Sequence, residues 1–134
     1  CTDLMGPITN DLDFINPNIV KVVTDQSGYS LYYSRESIPS PKKCDDFTIP
    51  KYKQFGVNAF VKDFLIKFSN LSRTNLEKTE SVDMLRALVH GYKVFMVEIE
   101  FPMVNVDVPE DIMKVEKLLK NDPIYQTYKK GIII

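Results

Sequence analysis

The sequence predicts an α/β fold, and three observations carry that reading. A β-branched run at residues 18–25 and an aromatic run at 29–34 flank Gln26-Ser27-Gly28, the pattern of a hairpin. Val82, Leu85, Leu88 and Val89 recur at helical spacing and Gly91 follows them, which marks an amphipathic helix and its stop. An apolar run at 93–99 comes next and reads as a strand. Strands interleaved with helices belong to α/β proteins, and 134 residues suffice for one domain.

Residues 1–18 hold Gly6, Pro7, Pro17 and several Asn and Asp residues, all turn formers, and are predicted irregular. The hairpin follows at 18–25 and 29–34. Ile38-Pro39-Ser40-Pro41 ends it, because proline removes ladder donors. Residues 42–50 are polar and loop-like. Alternation with a period of two predicts a strand over 52–60, and Gly56 in its middle marks either a bulge or a close approach of a ligand or backbone. A short helix is predicted over 61–68, a loop over 72–75 and the stronger helix over 77–90. After the strand at 93–99 comes a shorter one at 104–106. The last helix is expected over 109–119 with Ile112, Val115 and Leu119 inward, and Asn121-Asp122-Pro123 breaks it. No internal repeat, second domain or low-complexity linker is visible.

Composition excludes several classes. The 44% hydrophobic and 26% charged content is that of a globular chain rather than a disordered or fibrous one. Lys plus Arg is 17 and Asp plus Glu is 18, a net charge of −1, so no general attraction to nucleic acid or an anionic membrane is expected. No apolar run approaches the ~20 residues of a membrane span, and no signal peptide opens the chain. Cys1 and Cys44 form no metal or disulfide framework; a single disulfide or a reduced, cytoplasmic chain both fit, the latter better. There is no glycine-rich phosphate loop. His90 is the sole histidine, which disfavours a zinc site or a Ser-His-Asp triad. It fits the last helical turn, where a cation complements the helix dipole.

Three constellations could carry chemistry, each beside a plainer reading. Asp107-Val108-Pro109-Glu110-Asp111 places Asp107 as a helix N-cap with a capping-box-like Glu110. The same aspartate stands where a strand gives way to a helix, the edge at which α/β sheets bind ligands, and could hold Mg²⁺ against a phosphate. Glu77, Glu80 and Asp83 read as a solvated acidic first turn or as a functional face. Ser34-Arg35, Ile38-Pro39 and Lys42-Lys43 set cations beside a rigid turn, suited to a carboxylate or phosphate or simply to solvent.

Taken in order, these segments resemble a known family. Val20-Lys21-Val22-Val23, the stretch from Gly28-Tyr29-Ser30 to Tyr33-Ser34-Arg35, and Ile38-Pro39 are similar to the middle of 3-deoxy-manno-octulosonate cytidylyltransferases, the CMP-Kdo synthetases. Leu76-Glu77-Lys78, Leu85-Arg86-Ala87-Leu88 and Gly91-Tyr92-Lys93-Val94 match that family's helix and next strand. Val106-Asp107-Val108-Pro109-Glu110-Asp111 resembles its Val-Asp-Thr-Pro-Glu-Asp signature. The similarity runs from about Leu4 to Leu119.

The resemblance implies the C-terminal half of a Rossmann-like nucleotide-sugar transferase domain, with a mixed sheet, a β-hairpin and about three helices. Residues 1–134 would be its sugar-binding and dimerisation part. The nucleotide-binding half, with its Pro-Gly-Lys loop and first metal-binding Asp, is expected to be absent, so the chain alone is expected to be inactive. Without the first sheet strands, the strand at 93–99 is expected to present an open apolar edge. The implied reaction joins CTP and a Kdo-like sugar acid into a CMP-sugar with release of pyrophosphate, in lipopolysaccharide biosynthesis. Mg²⁺ is the implied cofactor and a homodimer the implied assembly. Carried over by position, Asp107 is the metal ligand, and Arg35 and Asp107 are the catalytic pair. Arg35, Lys42, Gln54, Asn58 and Asp83 bind substrate. Lys42 stands where the family usually has Arg, Gln54 and Asn58 replace a His and a Tyr, Asp83-Met84 replaces Glu-Gln, Asn105 replaces a small residue and Val108 the signature Thr. These departures bear on which sugar is used. A nucleotidyltransferase for another acidic acceptor, or a non-catalytic half-domain serving dimerisation, remain as alternatives.

Overall fold

The structure, a computed structural model, describes residues 1–43, 50–100, 106 and 109–129. It divides into two compact units, Cys1–Phe101 and Pro102–Ile134. The first unit runs β1 (Thr2–Pro7), α1 (Asp11–Ile15), β2 (Lys21–Thr24), β3 (Ser30–Ser34), a 3-10 turn (Pro41–Lys43), β4 (Tyr52–Ala59), α2 (Lys62–Ser69), α3 (Asn75–Glu80), α4 (Met84–Val89) and β5 (Phe95–Glu98). Its mixed five-stranded sheet has the order β3-β2-β4-β1-β5, with β1 antiparallel to β4 and parallel to β5. An α/β architecture is therefore what the sequence predicted.

The hairpin forms as expected, with Lys21 opposite Ser34 and Val22 opposite Tyr33. Its turn is held by Asp25, whose Oδ1 accepts from Ser27 N at 2.8 Å and Tyr29 N at 2.9 Å. Gly28 supplies the positive φ of 82° there. Val22, Tyr33, Met84, Leu85, Val94 and Met96 form the centre of the core, all at 3% exposure or less.

Three expectations for this unit are corrected. Residues 1–18 are not irregular: β1 sits between β4 and β5, and α1 is capped by Asn10, whose side chain accepts from Asp13 N at 2.7 Å. The β1 sequence has no β-branched run, so it is a strand through pairing with distant segments on both sides rather than through local preference. The helix predicted over 77–90 is two helices. Ser81 between them takes a left-handed conformation, φ 54°. The Glu80 carbonyl that would receive the next helical N–H accepts from Arg35 Nε instead, at 2.6 Å, and Val82 turns into the core at 5% exposure. The edge expected to stand open at 93–99 is partly closed. β5 does end the sheet, but the hairpin turn covers part of it: Met96 N donates to Gly28 O and Ser30 N to Val94 O, both at 2.9 Å, and Tyr29 bridges Phe95.

The second unit contains α5 (Pro109–Leu119), as predicted, and α6 (Pro123–Lys129), which was not. Asp122 starts α6 by accepting from Tyr125 N at 2.7 Å, so the predicted breaker also opens a helix. Val115 and Leu119 are half-buried, but Ile112, expected inward, is 49% exposed. The predicted strand at 104–106 lies outside the described residues except for Val106, which has no regular structure. Among the described residues, no helix is long and apolar enough to cross a membrane.

Candidate functional site

Asp3 is the unexpected centre of the site. It lies on β1 at the same parity as the core residue Met5 and is fully buried. Opposite it on β4 stands Asn58, and Gln54 stands opposite Met5. Two positions of β1 thus face four of β4, and the excess is a bulge containing Gly56 at φ +68°. An added Cβ at Gly56 would meet nothing within 4 Å, so backbone conformation, not close approach, explains this glycine. The bulge keeps Gln54 and Asn58 on the Asp3 face: cross-strand partners share a face, and Gln54 Nε2 donates to Asp3 Oδ2 at 2.6 Å.

The cluster holds polar atoms left unpaired. Asp3 Oδ1, Asn58 Oδ1 and Ser30 Oγ are buried without a hydrogen-bond partner. The phenol of Tyr33 adjoins Asp3 and Ser30, but its single proton is directed at Met96 Sδ, 3.1 Å away. Burial pushes the Asp3 carboxyl up to about 6, against the lowering effect of the Gln54 amide, the Leu4 backbone and Tyr33; the charge of Asp83 raises it further. Burial, and then the negative charge of Asp3, push the Tyr33 phenol far above its usual value.

Gln54 and Asn58 therefore come to one face of the sheet beside Asp3. Asp83 is exposed at the start of α4, with no capping bond from its side chain. Met84 beside it is fully buried in the core. The other predicted residues are elsewhere or undescribed. Lys42 is exposed in the 3-10 turn. Asp107, Val108 and Asn105 lie outside the described residues, as does Cys44; Cys1 is a free thiol. His90 ends α4 with Nε2 3.1 Å from Ser72 O.

Arg35 braces the backbone. Nε donates to Glu80 O at 2.6 Å, Nη1 to Pro17 O at 2.9 Å and Nη2 to Ser81 O at 3.4 Å. Glu80 answers by accepting from Arg35 N at 2.8 Å, Ser34 Oγ at 3.0 Å and Tyr32 Oη at 3.3 Å. The hairpin end is thereby riveted to the α3–α4 corner, next to Asp83. Lys21 does the same from inside: its fully buried ammonium donates to Asn16 O at 2.9 Å, Ile19 O at 2.7 Å and Arg35 O. Burial lowers its pKa.

Glu77 is not a solvated first-turn acid. It is 2% exposed, completes a capping box with Thr74, and is gripped by Arg86 through Nε at 2.9 Å and Nη2 at 2.6 Å. Arg86 holds the Glu77 carboxyl down at about 2. Sequence reasoning missed the roles of Asp3 and Lys21. Their available signal was a charged residue at an inward parity of an apolar stretch, which is informative only once the strand is known.

Comparison with known proteins fits this geometry. The cytidylyltransferase family profile matches residues 2–99, which span all five strands. The chain belongs to the cytidylyltransferase family. A 3-deoxy-manno-octulosonate cytidylyltransferase of Syntrophotalea carbinolica is 38% identical over 124 residues, covering 87% of this chain and 50% of that protein. Its counterpart in Geotalea uraniireducens is 40% identical over 117 residues, covering 81% and 47%. Among solved structures, a CMP:2-keto-3-deoxy-manno-octonic acid synthetase complexed with CTP superimposes with a TM-score of 0.79 at 28% identity, covering 89% of this chain and 48% of that one. The chain thus spans about half the length of the curated relatives it matches. Among the described residues, no three His, Cys, Asp or Glu side chains gather as a metal site.

Proposed function

We propose that this chain is the sugar-acid-recognising part of an enzyme that transfers CMP from CTP to a Kdo-like acid with release of pyrophosphate. The observation that carries the reading is the joint match of sequence and fold to CMP-Kdo synthetases, one of them bound to CTP. The placing of Gln54 and Asn58 beside Asp3 supports it, since a polar acceptor needs polar groups on rigid elements. The anomeric hydroxyl attacks the α-phosphorus directly, so no activated Ser or Cys is required. Asp107 would hold Mg²⁺, which would supply positive charge against the phosphates. Lys42 offers a point charge to a phosphate or carboxylate rather than a two-pronged grip. Arg35 acts by fixing the corner that carries Asp83.

The 134 residues by themselves are expected not to turn over. In-line transfer needs the triphosphate held by backbone amides or a lysine in a phosphate loop, and the sequence has no such glycine-rich loop. We also propose a homodimer, supported by the apolar surface of Val57, Val61, Leu65 and Ile66, 48% exposed or more. CMP-sugar formation from CTP, Mg²⁺ and Kdo by the polypeptide carrying this chain tests the reaction. Asp107→Asn there should retain the helix, because Asn caps about as well as Asp, and abolish turnover. Unchanged turnover with ordinary Mg²⁺ dependence would remove Asp107 from the metal site. A monomeric mass at micromolar concentration would remove the dimer.

A further inference from the structure

Glu80 ends α3, yet its carboxylate serves the end of β3. Oε2 accepts from Arg35 N at 2.8 Å, and Oε1 from Ser34 Oγ at 3.0 Å and Tyr32 Oη at 3.3 Å. The Glu80 carbonyl accepts from Arg35 Nε, and Ser81 O from Arg35 Nη2. Ser34 is a rigid anchor for this grip: it is 3% exposed, and its hydroxyl oxygen also accepts from Glu36 N at 3.0 Å. Three donors from the hairpin meet the two carboxylate oxygens, so Glu80 is committed to the scaffold and not to a substrate.

The corner that Glu80 holds is not the cheapest path for the chain. Ser81 takes the left-handed conformation, φ 54°, which the Cβ of a serine disfavours. The stripe at Val82, Leu85, Leu88 and Val89 would instead carry one helix straight through. A strained residue that the surroundings hold in place points to a role for what it orients. In one unbroken helix Glu80 and Asp83, three residues apart, would be neighbours on the same face. The break parts them. Glu80 is tied to β3, while Asp83 stands at the start of α4, exposed and making no capping bond with its side chain.

We propose that Glu80 is a positioning residue for the acceptor: it clamps the α3–α4 corner to the end of β3 and thereby presents Asp83 to the sugar acid without touching substrate itself. This rests on the proposed function and adds a residue to it. The clamp works through hydrogen-bond geometry, so an amide can stand in for the carboxylate. A glutamine oxygen accepts from Arg35 N, and its amino group donates to the two hydroxyl oxygens. An alanine does neither.

Steady-state kinetics of the polypeptide carrying this chain, with CTP, Mg²⁺ and Kdo, test the clamp in Glu80→Ala, Glu80→Gln, Asp83→Asn and the double variant Glu80→Ala/Asp83→Asn. Glu80→Ala should raise the KM for Kdo about tenfold or more while the KM for CTP stays within about twofold. Glu80→Gln should recover most of that loss. Asp83→Asn should raise the same KM, and the double variant should be no worse than the worse of the two single ones, because residues acting through one contact are not additive. If Glu80→Ala does not fold, Ser34→Ala removes one of the three donors and takes its place, with a rise of about threefold in the KM for Kdo that disappears in the Asp83→Asn background. An unchanged KM for Kdo, an equal rise for both substrates, or effects of Glu80 and Asp83 that multiply would overturn the positioning role and leave the proposed function standing. If the unmutated polypeptide forms no CMP-sugar from Kdo, the proposed function and the positioning role both fall.

Discussion

Glu77→Gln removes one charge from a buried carboxylate that two arginines hold. Arg86 reaches both oxygens, and Arg73 Nε adds a bond at 3.1 Å. Arg86 is the main cause of the depressed pKa, about 2 against a usual 4.5, with burial acting in opposition. A carboxyl with a depressed folded pKa stabilises the fold when ionised. That contribution is complete above about 4.5, the unfolded value, and is lost as pH falls through about 2. A tenfold difference in acidity between the folded and unfolded chain is worth about 1.4 kcal/mol, so Gln at this position should cost about 3 kcal/mol at neutral pH. With a urea slope of roughly 1–3 kcal/mol/M, the midpoint should fall by about 1–3 M. Urea unfolding followed by circular dichroism at pH 7 and pH 2.5 is the assay. Near pH 2.5 the unmutated protein retains only about 1 kcal/mol of this stabilisation, so the two curves should nearly meet. A loss below about 1 kcal/mol at pH 7, or an equal loss at both pH values, would show that the ion pair is not what holds the α3–α4 corner.

Asp3 has the opposite sign. Its folded pKa of about 6 lies above the usual 3.8, so ionisation opposes folding: stability is fullest below about 3.8 and declines as pH rises through about 6. Asp3→Asn should therefore raise the thermal midpoint at pH 7 and leave it nearly unchanged at pH 3.5; a lower midpoint at pH 7 would contradict the uncompensated charge. Ser81→Gly should stabilise by roughly 1 kcal/mol, because glycine adopts the left-handed conformation without the Cβ penalty; urea unfolding measures it, and a loss would mean that contacts of the Ser81 side chain outweigh the relief of the backbone. Lys21→Met should cost several kcal/mol, since three backbone carbonyls lose their donor. Proteolysis of the 16–19 and 35–37 segments should accelerate with it, and unchanged protection there would refute the bracing role.

The sequence by itself determined the α/β class, the hairpin, the helices over 62–69 and 109–119, and the ordered set of motifs that places the chain in its family. Those features are local. A hairpin is written in two β-rich runs and a glycine turn, and a helix in a stripe at fixed spacing. The parity of positions 54 and 58 was also legible, although their common face survives only because the Gly56 bulge inserts an even number of extra residues. Tertiary structure alone decided the rest. β1 is a strand because β4 and β5, both distant in the chain, pair with it on either side. The helix over 77–90 breaks because an arginine from the hairpin takes the Glu80 carbonyl. Glu77 and Asp3 read alike in sequence as acidic residues in mixed surroundings. Folding brings Arg86 to one and the Gln54 amide to the other, so that one carboxylate is a rivet of the scaffold and the other is buried without a cation beside it among the described residues.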